Sequence, residues 1–186
     1  MKLLRLTLAF LGLTAAAAAQ NIEFAATPYE APAFSATFPS PDPGKDKPGV
    51  SYSFDDITTK AGTPTKLHNY TLSLYNDADA FLVLYCDIAN ARGDVAALDR
   101  MLDGALTQLD NAKPGPKTDS TLSGLPARAV AATGSYTHGQ TTFNVTAYER
   151  IMVQNSRVWQ AIVICDQTTS CTETDANKFF NSIKVR

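Results

Sequence analysis

The residues that could act as nucleophiles or acid–base catalysts are few in this chain of 186 residues. There are two histidines: His68 opens a predicted strand, and His138 lies in a predicted turn, where histidines are usually exposed to solvent. The sequence contains neither the Gly-x-Ser-x-Gly motif of a hydrolase nucleophile nor a glycine-rich phosphate loop. We therefore predict no catalytic residue, no cofactor and no cofactor-binding residue, and a protein that is not an enzyme.

Side chains that bind metals are similarly sparse. Two histidines and three cysteines are too few for a zinc ribbon or a three-histidine site. Asp55 and Asp56, and also Asp77 and Asp79, carry the oxygen ligands that calcium prefers. Neither pair has the spacing of an EF-hand loop, and turns select aspartate for local hydrogen bonds. The sequence therefore predicts no metal site.

Three cysteines, Cys86, Cys165 and Cys171, set the expected thiol chemistry. An odd number in an oxidising compartment suggests one disulfide and one remaining thiol. Cys165 and Cys171 bracket five residues, a loop that closes if their Cα atoms approach to about 6 Å. This pair is favoured, whereas Cys86–Cys165 and Cys86–Cys171 remain open because spacing does not fix connectivity. Cys86 lies in an apolar run, Phe81 to Ile88, and is expected to be buried and inert.

A thiol enzyme is the main catalytic alternative. Cys171 directly precedes a predicted helix, whose N-terminus would lower the pKa of a free thiol. With a histidine as its partner, Cys171 would make the protein a small secreted thiol- or histidine-dependent hydrolase. This alternative requires Cys171 to be a free thiol.

The first nineteen residues have the composition of a secretory signal peptide. Lys2 and Arg5 form a positive n-region, Leu6 to Leu13 form an apolar core, and Ala15 to Ala19 offer small residues for cleavage. We expect cleavage after Ala19 and a secreted or periplasmic protein. No second long apolar run follows, so we expect no stable membrane insertion after cleavage. Loss of Lys2 and Arg5 changes the net charge from −2 to −4, which gives no basic surface for nucleic acid.

The remaining chain is predicted to form a flexible N-terminal segment, residues 20–33, and one domain, residues 34–186. Alternation from Lys66 to Tyr75, a turn, and the apolar run from Ala80 to Ile88 predict a hairpin whose second strand is covered on both faces. Three runs between Ala129 and Cys165, joined by short turns, predict an antiparallel meander. Apolar spacing predicts a helix from Asp94 to Leu109, and a capping box at Thr172 predicts a second helix.

Four local features resemble the PsbP-like family of secreted domains, named for an extrinsic photosystem II subunit. They are Phe34-Ser35-Ala36-Thr37-Phe38-Pro39, the turn Gly124-Leu125-Pro126-Ala127-Arg128, the pair Tyr148-Glu149-Arg150 with Arg157-Val158-Trp159, and Phe179-Phe180-Asn181-Ser182-Ile183-Lys184-Val185. The resemblance implies an α+β fold, in which an antiparallel sheet of about six strands carries helices on both faces and so forms an α/β/α sandwich. The resemblance also implies that the protein is a bacterial member of the family, of unknown function, and that most of the family is non-catalytic.

Arg128 and Arg150 fall within these features and are the candidate binding residues. Both are expected to line one edge of the sheet, although a structural ion pair or turn contact is the ordinary role of such residues. The predicted function is an exported, non-enzymatic binding or accessory domain for an unknown protein or small-molecule partner. A carrier of a small apolar ligand is a further alternative, and it requires a cavity between sheet and helix.

Overall fold

The computed structural model describes residues 22–40, 49–58, 62–74, 78–138 and 140–186. The predicted signal peptide, residues 1–19, lies outside the described residues. Eleven strands and two helices are formed within them, in this order: β1 (Tyr29–Glu30), β2 (Phe34–Ala36), β3 (Ser51–Thr58), β4 (Pro64–Leu74), β5 (Asp79–Asp87), α1 (Val95–Leu106), β6 (Asp110–Pro114), β7 (Thr118–Leu122), β8 (Leu125–His138), β9 (Thr141–Gln154), β10 (Arg157–Asp166), α2 (Glu173–Ser182) and β11 (Lys184–Val185).

Eight strands form one antiparallel sheet. Its order is β3-β4-β5-β10-β9-β8-β6, and β7 pairs with β8 beside β6. The predicted hairpin is the pair β4–β5, and the predicted meander is β8–β9–β10. Because β10 returns beside β5, the two longest apolar runs of the sequence lie at the centre of the sheet.

One face of the sheet carries the larger hydrophobic core. Strand alternation points Phe81, Val83, Trp159 and Val163 to this face, and all of them are almost fully buried. They pack against α2 and against a second sheet with the order β1-β2-β11. Residues 22–33 belong to the segment predicted to be a flexible tail, and Ile22, Ala25 and Ala31 are buried in this layer.

The other face carries a smaller core beneath α1. Leu98, Leu102 and Leu106 of the helix are buried against side chains of β8 and β9 that include Val145 and Ile151. Asp94 is the N-cap, as predicted, and its side chain accepts a hydrogen bond from the backbone N–H of Ala97 at 3.0 Å. Since α1 contacts β8 and β9, it covers only one side of this face.

The predicted α/β/α sandwich with about six strands is wrong. The protein is mostly β, with an eight-stranded sheet and helices of only 12 and 10 residues. Neither face carries a layer of helices, because α1 covers two strands and a three-stranded sheet shares the other face with α2.

The expectation that β5 is covered on both faces is also wrong. Along β5, buried residues alternate with half-buried ones, Leu82 and Leu84 among them. The same holds for Ile162 and Ile164 of β10. A continuous apolar run is therefore compatible with a strand whose second face is partly open to solvent, because single exposed apolar side chains are common on protein surfaces.

Candidate ligand-binding site

A cavity of about 290 Å³ lies between α2 and the strands β7, β8 and β9. This volume is close to the lower end of the range usual for small-molecule sites, roughly 300–1,000 Å³. Its wall combines small, aromatic and charged residues: Gly115, Pro116, Thr118, Ser120, Ala129, Val130, Ala131, Tyr148, Glu149, Arg150, Glu173, Asn177 and Phe180. The cavity is thus neither a closed core void nor a purely apolar pocket.

Small residues on β8 leave the space that the cavity occupies. In the β8–β9 register, Ala129 lies opposite Arg150 and Ala131 lies opposite Tyr148. Residues directly opposite in an antiparallel pair share a face, so all four belong to the face that α2 covers. The alanine side chains reach only a short way from the sheet, and α2 packs mainly against β2, β9 and β10. The space above the alanines therefore stays open, and Ala131 is exposed.

The helix α2 supplies the opposite wall. Its residues Glu173, Asn177 and Phe180 line the cavity, and this spacing of four and three residues keeps them on one side of the helix. The helix begins at a capping box, as predicted: the Thr172 hydroxyl accepts from the backbone N–H of Asp175, and the Asp175 carboxylate accepts from that of Thr172. This cap fixes where the first turn begins and so where Glu173 lies.

Arg150 is the cation of the cavity. Its Nη1 donates to the backbone oxygen of Thr121 at 2.9 Å and to Oδ1 of Asn181 at 3.2 Å. Its Nη2 donates to Oδ1 of Asn177 at 2.5 Å. The guanidinium carbon lies 4.8 Å from the ring centroid of Phe180. These contacts bridge β7, β9 and α2 and hold the guanidinium in one orientation.

The partners of Arg150 are all uncharged. No carboxylate within the described ranges forms an ion pair with it, although Glu173 lines the same cavity. Burial lowers the pKa of Arg150, because the charged form loses hydration and no nearby anion compensates for the loss. A partly buried guanidinium with only neutral partners favours an anionic group that can approach it.

Tyr148 and Glu173 shape the rest of the cavity electrostatically. Burial raises the pKa of the Tyr148 phenol, and the negative charge of Glu173 adds to this effect. The phenol therefore stays neutral and can donate a hydrogen bond at physiological pH. Glu173 is exposed and places one negative charge one helical turn from Asn177.

Arg128, the other candidate residue, is on the opposite face. The register places Arg128 opposite Ile151, which belongs to the core under α1, so the two arginines that were predicted to line one edge of the sheet point to opposite faces of it. Its Nε and Nη2 donate to the two carboxylate oxygens of Asp99 at 2.8 and 3.3 Å, and its Nη1 donates to Asp119 at 2.7 Å. The Arg128 guanidinium holds the pKa of Asp99 below its usual value.

Glu149 lies between the two arginine sites and was missed by sequence reasoning. It is 3% exposed, and its Oε1 accepts a hydrogen bond from Nε2 of Gln160 at 2.8 Å. Alternation points its side chain toward the α1 face with Val145 and Ile151. Burial raises its pKa from 4.5 to about 8. The sequence did contain a signal for this residue. Glu149 falls in the alternating pattern of β9 at a position where an apolar residue is expected.

The cysteines define the thiol chemistry. Cys165 and Cys171 form a disulfide, with their Cα atoms 5.2 Å apart. Cys86 is a buried free thiol whose pKa is raised by burial. It lies opposite Val158 under α1, whereas Cys165 points to the other face. The thiol-hydrolase alternative therefore lacks its nucleophile, because the sulfur of Cys171 is bound.

Two of the remaining candidates, His68 and Asp79, contact other residues of the fold. A hydrogen bond of 2.8 Å joins the Nδ1 of His68 and the Tyr52 hydroxyl. The His68 ring stacks on the Tyr85 ring, with the two centroids 4.5 Å apart. The backbone of His138 ends β8, and Asp77 lies outside the described residues. Asp79 is fully buried, and its Oδ1 accepts from the backbone N–H of Asp166 at 2.8 Å.

Neither a metal-binding cluster nor a membrane-spanning helix is found within the described residues. No group of three or more histidine, cysteine, aspartate or glutamate side chains is arranged to hold a metal ion in the part of the chain that the structure describes. Among the helices within the same ranges, none has both the length and the apolar character needed to cross a bilayer.

Comparison with solved structures finds distant structural neighbours, among them LpqN and PA94. No family model matches the chain, and no curated protein matches it. LpqN of Mycobacterium tuberculosis, described as involved in cell envelope biogenesis, is 16% identical over 74% of this chain and 85% of its own, with a TM-score of 0.45. PA94 of Pseudomonas aeruginosa, a protein of unknown function, is 15% identical over 78% of this chain and 84% of its own, with a TM-score of 0.36. The resemblance to the PsbP-like family is not confirmed.

Proposed function

We propose that the protein is an exported, non-enzymatic binding domain that holds a small carboxylate-bearing ligand in the cavity beside Arg150. The observation that carries this proposal is a half-buried guanidinium, fixed by neutral oxygens and lining an accessible cavity. Hydrogen bonds between a guanidinium and a carboxylate are about twice as strong as neutral ones. The carboxylate of a ligand would supply the negative charge that the hydrogen-bond partners of Arg150 lack.

The composition of the wall narrows the ligand class. Phe180 and Tyr148 offer aromatic surface beside the cation, and Ser120 and Thr118 offer hydroxyl groups. Glu173 would repel a second negative charge, so a monocarboxylate fits better than a phosphate or a dicarboxylate. This differs from the carrier of an apolar ligand considered above, because the cavity between sheet and helix contains charged groups.

Export is supported by the sequence and by the thiol chemistry. The first nineteen residues have the composition of a signal peptide. A disulfide between Cys165 and Cys171 is the form expected in an oxidising compartment. We therefore place the proposed binding activity outside the cytoplasm, in the periplasm or the secreted fraction.

Calorimetric titration with benzoate and with its uncharged isostere benzamide tests the proposal. Benzoate is expected to bind and benzamide to bind at least about 10-fold more weakly, because one charge-assisted hydrogen bond contributes about 1.5–3 kcal/mol. Inorganic phosphate is the third probe and is expected to bind more weakly than benzoate. Equal affinities for benzoate and benzamide, or no binding of either, would contradict a carboxylate site.

A further inference from the structure

The two edges of the eight-stranded sheet differ in how well they are protected from pairing. One edge is formed by β6 and β7, each of five residues, with a ladder irregularity between Asp110 and Lys113 and with Pro114 in β6. Short strands, irregularities and prolines are the usual devices against edge-to-edge pairing. The other edge is β3, and it has none of them.

The strand β3 is long and regular. Its eight residues contain no proline or glycine, and they pair with β4 without a break from Ser51 opposite Thr71 to Thr58 opposite Pro64. No strand within the described residues pairs with its outer side. All of its residues except Ile57 are exposed. With respect to the described residues, the outer backbone groups of β3 are therefore open to another extended strand.

Two exposed aromatic rings lie on this edge. Tyr52 is 48% exposed and Phe54 is 49% exposed, and they are two of the three large hydrophobic residues that are exposed in the described ranges. Their ring centroids are 6.4 Å apart on the same face of the strand. The Tyr52 ring is held by its hydrogen bond to His68 and by contact with Tyr70, whose ring centroid is 4.7 Å away. The Nζ of Lys66 lies over the Phe54 ring, 4.2 Å from its centroid. Contacts within the chain therefore position both rings at the rim of the sheet.

We propose that β3 pairs antiparallel with β3 of a second copy of this chain across a two-fold axis, which joins the two large sheets. Self-pairing centred on Ser53 places Tyr52 of each copy opposite Phe54 of the other. Self-pairing centred on Phe54 places the two Phe54 rings opposite each other. In either case aromatic pairs form across the new ladder, and such pairs stabilise antiparallel strands.

The acidic residues of β3 restrict the register. A pairing centred on Asp55 or on Asp56 would place identical carboxylates directly opposite each other, which destabilises a ladder. A pairing centred on Ser53 instead brings Asp55 opposite the uncharged Ser51, and a pairing centred on Phe54 brings Asp55 opposite the uncharged Ser53. The strand is therefore complementary to itself only when the axis lies in its aromatic half. This self-complementarity is the reason for committing to a second copy as the partner.

Sedimentation velocity of the mature chain over a wide concentration series tests the dimer. The wild type is expected to shift from monomer to dimer as concentration rises. Phe54→Lys is expected to raise the dissociation constant at least about 10-fold, because it removes the aromatic pair and places positive charges near the axis. Val95→Lys is the matched control, since Val95 is 55% exposed on α1, which packs mainly against β8 and β9 rather than β3; it should dimerise like the wild type.

Ser53→Asp gives a second test that keeps both rings. In the register centred on Ser53 it places the two introduced carboxylates opposite each other, and in the register centred on Phe54 it places each of them opposite Asp55 of the other copy. It is therefore expected to weaken the dimer in either register. Thr118→Asp on the protected edge is its control and should leave the dimer intact. A wild type that stays monomeric throughout the series overturns the proposal, and so does a folded F54K or S53D variant that dimerises as well as the wild type.

Discussion

Arg128 and Arg150 lie on the neighbouring strands β8 and β9 but on opposite faces of the sheet, and their partners are of opposite kinds. Arg128 donates to two carboxylates, Asp99 and Asp119. Arg150 donates only to the neutral oxygens of Thr121, Asn177 and Asn181. The side chain of Arg128 is 11% exposed, yet its charge is already balanced. A buried arginine is therefore a binding candidate only when the fold leaves its charge without a partner.

The sequence could not distinguish the two arginines. Arg128 follows a turn and Arg150 lies in an alternating strand, but the face that each one occupies depends on the register between β8 and β9. A shift of one residue would exchange the faces, and the register is a property of the paired strands. The carboxylates of Asp99 and Asp119 reach Arg128 only because α1 and β7 lie beside that part of β8.

The largest expected effect concerns Glu149, which lies beneath α1 on the face of Arg128. Its pKa is raised to about 8, so the folded state keeps a proton that the unfolded state loses above about pH 4.5. The free energy of unfolding should therefore fall as pH rises from about 4.5 to about 8, by up to about 1.4 kcal/mol per pH unit, and then level off. Glu149→Gln should flatten this slope and be more stable than the wild type at pH 8. Urea unfolding across this pH range measures both.

The same experiment tests whether the protonation of Glu149 is electrostatically coupled to Arg128. Burial and the Gln160 hydrogen bond account for the Glu149 pKa, without a contribution from Arg128. The slope between pH 4.5 and 8 should then be the same in an Arg128→Met background. A slope that differs between the two backgrounds would show that the two groups are coupled, and the contrast between balanced and unbalanced charge would need revision.

The second prediction contrasts the loss of each arginine: losing Arg150 should weaken ligand binding, whereas losing Arg128 should weaken the fold. Arg150→Met should reduce benzoate affinity about 10- to 100-fold, because a charge-assisted hydrogen bond to the ligand is lost. Its free energy of unfolding should change by no more than about 1 kcal/mol, because lost hydrogen bonds are offset by relief of desolvation. Calorimetric titration and urea unfolding of the same preparation measure the two quantities.

Arg128→Met is the matched control and should show the reverse pattern. It leaves Asp99 without its cation, so the melting temperature should fall further than in R150M while benzoate affinity stays unchanged. The lowered pKa of Asp99 makes this contribution fully present above the unfolded value of 3.8, and it is lost as pH falls through the folded value. The melting temperatures of R128M and wild type should therefore converge in acid.

The third prediction concerns a substitution that partly fills the cavity without changing its charge. Ala131→Leu adds a larger side chain opposite Tyr148, on the wall of the cavity, while Arg150 keeps its three hydrogen bonds. Benzoate affinity should fall about 10-fold, because the cavity is near the lower size limit for a ligand. The free energy of unfolding should change by less than about 1 kcal/mol, since the side chain enters open space. Unchanged benzoate affinity in A131L would place the ligand elsewhere.

The smallest expected effect is the response to salt. The side chain of Asp119 is 89% exposed, so its ion pair with Arg128 should be screened by added sodium chloride. Asp119→Asn should thus lower the melting temperature slightly at low salt and have no effect at high salt. Arg150 has no ion pair to screen within the described residues, and R150M should differ from the wild type equally at both salt concentrations. Thermal melts in paired buffers measure this.

Much of the local structure could be predicted because it depends on neighbouring residues. Asp94 and Thr172 cap the two helices as their side chains suggest, and the alternation in β8 and β9 gives two long strands. The two-residue strands β1 and β11 have no periodicity to detect, and they exist only because β2 lies between them. Tertiary contact therefore created the second sheet, which shares one face of the large sheet with α2.

Only part of the candidate site could be predicted from the sequence. Arg150 could be singled out, but the cavity depends on Ala129 and Ala131 lying on the face of the sheet that carries α2, and alanine carries no signal of its own. The apolar run of β5 suggested full coverage, although Leu82 and Leu84 are half-buried. Composition reports how apolar a strand is, whereas the path of α1 decides which strands it covers.

An NMR titration that observes the Arg150 guanidinium while benzoate is added tests the proposed site most directly. The Arg150 side-chain N–H resonance is expected to move with benzoate and not with benzamide, together with backbone amides of β8 and α2 that border the cavity. The Arg128 side-chain resonance should remain in place. Movement of Arg128 with benzoate, or no movement of Arg150 at saturating benzoate, would contradict the assignment of Arg150 as the binding residue.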